Sequence, residues 1–187
     1  TITIGFGRSL TITGNTTVGS TKNTASTTNL TFAGAGTLNL GDGNARTIVF
    51  GQGGSTTNVA TTSATDMSTL TFVNLNAGPT GSIILSRNND NIAAALTQVT
   101  LGNVQNVVTA GTLTIGGSPG SAGNGTTPHT LRLGAGANLL NVDTLNLGTV
   151  DRDSGQLIFA GNTGTVFLRA ANGTGATNIN LGTGANV

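Results

Sequence analysis

The densest cluster of ionisable residues is "DRDSG", in which Asp151 and Asp153 flank Arg152. Carboxylates two positions apart leave the same side of an extended chain, and such a pair can bind a cation or share acid and base roles in cleaving a polysaccharide. Asp143 is the nearest addition. The plainer account is a solvated turn between "TLNLG" and "QLIFAG", because nothing else ionisable lies nearby in sequence. The single histidine, His129, sits after Pro128 at the entry to "HTLRLG". With no second His, no Cys and no Glu, a zinc site would rest on Asp alone, and no "GxSxG" phrase offers a serine for this histidine to activate. A structural or exposed His is the expectation. "GSPGS" reads as a turn, and "LGDGNA" is only a fragment of a calcium-binding nonapeptide. Glycosylation-type phrases at Asn15, Asn29, Asn124 and Asn172 are expected by chance in a chain so rich in Asn and Thr. No catalytic, cofactor-binding or metal-ligating residue is assigned, and the expectation is a protein that is not an enzyme.

The elements that would have to position such residues are legible in the composition. Of 187 residues only 7% are charged, Gly reaches 30, and Trp, Tyr and Cys are absent. Polar low-complexity chains of this kind are often disordered, but Leu, Ile, Val and Phe recur here in short alternating runs that have something to bury. The formal net charge of +1 comes from charges spread singly, so no basic stripe exists for nucleic acid. No window holds the ~18 to 20 consecutive apolar residues of a membrane span.

One phrase recurs: "GTLNLGDG" from Gly36, "GTLTIGGSPG" from Gly111, "TLRLG" from Thr130 and "TLNLG" from Thr144. A catalytic motif is needed once, whereas a repeated phrase marks a structural unit stacked many times. In each copy the alternation sends Leu or Ile to one face and Thr, Asn or Arg to the other. Leu38, Leu40, Leu113, Ile115, Leu131, Leu133, Leu145 and Leu147 are expected inside; Thr37, Asn39, Thr114, Arg132 and Asn146 are expected outside. The closing glycine suits a corner, where positive φ or close backbone approach is needed. Fourteen such strands can be marked between "TITIG" at Thr1 and "NINLG" at Asn178, with long polar insertions after Thr13 and Phe50. "NIAAAL", Asn91 to Leu96, has some helical flavour but is too short to be a helix.

Few Asn-Gly or Asp-Gly hairpin signals and no Trp or Tyr argue against an antiparallel sandwich. The expected fold is all-β: a single parallel β-helix, or β-solenoid, over residues 1–187. At ~20 to 25 residues per repeat it would have about seven to nine coils. The polar cement between coils is expected to be stacked Asn and Thr side chains.

The phrases "LTFAGAGTLNLGDG", "TLTIGGSPGSAGNG" and "TLNLGTVDRDSGQLIFAGNTGTVFLRAANGTG" resemble the autotransporter-associated β-strand repeats of large bacterial surface proteins. The resemblance covers nearly the whole chain. It implies a right-handed β-helix passenger at the outside of a Gram-negative cell, here as a segment without translocator or secretion signal. The functional expectation is an extracellular structural or adhesive solenoid forming a stalk, fibre or filament. Its expected partners are copies of itself or adjacent repeats stacked end to end, and cell-surface or glycan ligands. A polysaccharide lyase or hydrolase centred on Asp151 and Asp153 is the alternative. A threonine face that binds ice is a lesser one, because Asn39, Arg132, Asn146 and Asn180 interrupt the array. Neither end of the chain reads as a cap, since "TITIGFG" and "NINLGTGANV" carry neither amphipathic helix nor charged segment.

Overall fold

The computed structural model describes residues 1–19, 26–51, 61–85, 96–116, 128–149 and 154–182. Its strands fall into six rungs. The first holds β1 (Ile2–Thr3), β2 (Ser9–Ile12) and β3 (Thr16–Val18). The second holds β4 (Ser26–Ala33), β5 (Thr37–Leu40) and β6 (Thr47–Phe50). The third has β7 (Thr61–Asp66) and β8 (Phe72–Leu85), the fourth β9 (Thr97–Thr100) and β10 (Gln105–Ile115). β11 (His129–Leu133) and β12 (Ala137–Leu147) make the fifth. β13 (Gly155–Phe159), β14 (Thr165–Arg169) and β15 (Asn178–Leu181) make the last.

Every pairing between these strands is parallel. Parallel neighbours cannot be joined by a tight hairpin, so the chain must travel round before returning, which is what a solenoid does. One sheet runs β1-β4-β7-β9-β11-β13; the other runs β2-β5-β8-β10-β12-β14, widened by β3, β6 and β15. Among the described residues there is no helix.

Ladder partners lie 26 to 35 residues apart, not 20 to 25. Each rung is longer than the repeated phrase because it carries three straight segments and their corners. The solenoid consequently has about four turns, corresponding to the inner rungs packed on both sides, and the seven to nine coils predicted from repeat length are not reached.

The three-segment path is clearest in β8. Phe72–Leu75 lies against β5 while Ser82–Leu85 lies against β6, so one long strand crosses two walls. The bend falls at Gly78, whose φ of 79° is left-handed. A Cβ there would run into the carbonyls of Gly43 and Asn44 on the rung before, so only glycine suits the position. Against β10 the register slips between Thr109 and Thr112 and then resumes at Ser82, with Pro79 and Thr80 exposed. The extra residues bulge outward and leave the stack intact.

Inside, side chains form columns along the axis. Leu40, Leu75, Val108 and Leu140 are stacked in register, as are Ile48, Ile83, Leu113 and Leu145, all at most 2% exposed. Burying each such side chain contributes about 1.5–3 kcal/mol. The inward set read from the alternation is buried, except that Leu147 is only partly covered by the final rung. Thr37, Asn39, Thr114, Arg132 and Asn146 alternate with them on the outer side and are half-buried by their neighbours above and below. Phrase-closing glycines take positive φ at Gly116 (69°) and Gly148 (60°), where the chain leaves the third wall.

Two supposed insertions contain strands. β3 and the start of β4 lie in the polar stretch after Thr13, and β7 lies in the one after Phe50. β7 escaped notice because its inward residues are Ser63 and Thr65, buried at 6% and 2% exposure, so no apolar alternation marks it. The helix-flavoured residues 91–95 lie outside the described residues.

Candidate interaction surface

Asp151, Arg152 and Asp153, and with them the paired-carboxylate site, lie outside the described residues, as does the phrase at Asn124. Asp143 is exposed on β12 and accepts the Ala171 N–H at 2.8 Å, tying a turn of the last rung to the rung below. Asn172 closes a local turn by accepting from the N–H and hydroxyl of Thr174, and Asn15 accepts the Thr47 N–H at 3.0 Å. Among the described residues no three His, Cys, Asp or Glu side chains converge on a metal-sized site.

His129 is buried at 3% exposure, and its Nδ1 accepts the backbone N–H of Thr97 at 3.2 Å. Thr97 stands over Ser63 on the neighbouring rung. Ser63, Thr97 and His129 thus make a polar strip on the inner side of the first sheet, in which Ser63 Oγ finds no partner. Sequence spacing could not show this, because the three residues meet only through the stacking of rungs.

A second buried polar pair was missed for the same reason. Asn106 and Asn138 stand in register at 0% exposure, in a column that is Val73 below and Val166 above. Asn106 Nδ2 donates to Asn138 Oδ1 and to the Gly102 carbonyl, both at 2.7 Å. Asn138 Nδ2 lies within 3.0–3.1 Å of the Gly134, Gly136 and Thr165 carbonyls, and its Oδ1 accepts the Gly134 N–H. The amide thereby satisfies the Gly134 backbone at the corner and adds a second donor to the Gly136 carbonyl, which also accepts the Thr165 N–H.

On the outer walls the expected polar ladders are present. Asn74 donates to Asn39 Oδ1 at 3.3 Å, and Asn39 in turn to Thr11 Oγ1 at 3.3 Å. Asn180 donates to Asn146 Oδ1 at 2.8 Å, and Asn146 to Thr114 Oγ1 at 3.4 Å. The would-be threonine face reads Val49, Ile84, Thr114, Asn146, Asn180 along one of its columns. Among the described residues one ion pair stands at the surface, Arg46 to Asp42 at 2.6 Å, and the guanidinium hydrogen bonds hold the Asp42 carboxyl well below the usual carboxylate range.

Among the described residues the exposed apolar side chains are concentrated at the two end rungs. Phe159, Val166 and Ile179 occupy inward columns yet are 36%, 38% and 51% exposed, and Leu181 reaches 65%. At the other end Ile2 and Ile12 occupy the columns of Phe32 and Leu40 and are likewise exposed. Among the described strands β13, β14 and β15 are hydrogen-bonded on one side only, so their outer N–H and C=O groups face the same way as these side chains. A row of unpaired backbone groups beside an uncovered apolar interior is a strand-pairing surface. No family model, curated protein or solved structure matches this chain.

Proposed function

We propose that the chain is a segment of an extracellular structural and adhesive β-solenoid, forming part of a stalk, fibre or filament at a bacterial surface. In this reading it is a relative of the autotransporter-associated repeats that its phrases resemble. Its coil turns right-handed, as connections between parallel strands of one sheet nearly always do. What supports the reading is the continuity of the stack. Apolar columns inside and Asn/Thr ladders outside pass from rung to rung, so each layer serves chiefly to carry the next. Adhesion to cell-surface or glycan ligands would use the outer walls, where the neutral amides and hydroxyls of the ladders offer both donors and acceptors.

The experiment is surface labelling. The chain has no cysteine, so Asn178→Cys at an exposed outward position provides a single thiol. In intact cells making the protein, a membrane-impermeant maleimide is expected to label it. Labelling that requires lysis would overturn the assignment to the surface.

A further inference from the structure

The two exposed end rungs belong to the same set of columns. Followed strand by strand, the column of Val166 passes through Asn138, Asn106, Val73 and Leu38 to Leu10. That of Leu168 passes through Leu140, Val108, Leu75 and Leu40 to Ile12. That of Leu181 passes through Leu147, Ile115, Leu85 and Phe50 to Val18.

We propose that the last rung of one molecule receives the first rung of a second copy, in the register that the internal ladder already keeps. β14 would pair with β2 and β15 with β3, seating Val166 on Leu10, Leu168 on Ile12 and Leu181 on Val18. This rests on the reading of the chain as a stacked surface solenoid and names the partner of its exposed ends. A second copy is the occupant because its first rung has the matching strand direction and apolar positions. On the outer wall Asn180 would meet Thr17, prolonging the column that includes Asn146, Thr114, Ile84 and Val49. The contact is head to tail, so it does not close on itself and propagates along the axis.

The test uses the full 187-residue chain and two variants, each disabling one end. Ile12→Asp places a charge in the first rung and Leu181→Asp in the last, at positions exposed in the single molecule. Sedimentation of the wild type is expected to show mass growing with concentration, while each variant alone stays monomeric. Mixed together, the variants are expected to give a species of twice the monomer mass and nothing larger, because each contributes one intact end. Far-UV spectra check that the variants fold, and Ile179→Asp replaces Leu181→Asp at the same end should that variant unfold. A wild type that stays monomeric at every concentration, variants that elongate alone, or a mixture without the dimer would each overturn the proposal. Monomers in solution combined with surface labelling in cells would sink this inference and leave the surface role standing.

Discussion

The pair Asn106 and Asn138 offers the sharpest test of how the interior is held, because two identical residues stacked in one column are expected to differ in worth. Truncating Asn138 to Ala removes the acceptor for the Gly134 N–H and for the Asn106 amide. It also removes the two N–H donors shared among the Gly134, Gly136 and Thr165 carbonyls. A buried group left without its partner costs about 1–3 kcal/mol, with the carbonyls at the lower end because they keep a second lone pair. The Gly136 carbonyl keeps the Thr165 N–H, and the remaining three to four orphaned groups give a loss of about 3–5 kcal/mol. Asn106→Ala removes donations to the Gly102 carbonyl and to Asn138 Oδ1, while its own Oδ1 already has no partner in the folded protein. Deleting that unpaired oxygen returns part of the loss, so the net cost is expected to be about 1–2 kcal/mol. The double variant loses the shared hydrogen bond only once and should be less destabilised than the sum, by about 1 kcal/mol. Equilibrium urea unfolding read by far-UV circular dichroism supplies all four corners of the cycle, the midpoint moving with little change in slope. Equal costs for the two residues, or a larger cost for Asn106, would refute the account of Asn138 as the residue that satisfies the corner.

Replacing Gly78 by Ala forces a side chain into a left-handed corner against two carbonyls of the rung before, and should cost about 2 kcal/mol or more in the same unfolding assay. A melting temperature nearly independent of ionic strength is expected, since neutral amide and hydroxyl ladders are the polar cement and the ion pair among the described residues lies at the surface. Because Asp42 has its carboxyl pKa lowered by Arg46, any stability it contributes is present above the ordinary carboxylate range and disappears as pH falls through the folded-state value. Asp42→Asn should therefore flatten the acid side of the stability profile, measured by thermal melts from neutral pH downward, and leave the shape of the alkaline side unchanged.

Whatever depends on neighbours two residues apart could be read directly from the chain. In "TLNL" or "TLRL" the strand geometry alone sends Leu38 and Leu131 inward and Asn39 and Arg132 outward. The scarcity of hairpin signals likewise pointed to parallel walls, because a turn is a local event with local residue requirements. The length of a rung had no such signal: it is set by how many corners the chain takes before it meets itself, and Gly78 turns a corner inside what the sequence presents as two separate strands. Nor could residue type reveal where polar side chains go inside. Asn138, Thr97 and His129 are buried because the neighbouring rung or a nearby corner supplies a hydrogen-bond partner, the Asn106 amide for Asn138 and the Thr97 N–H for His129. Those rung-to-rung partners lie 32 residues away in sequence. Burial of a polar group is favourable only once its hydrogen bonds are met, and here those bonds exist only after one coil has stacked on the next.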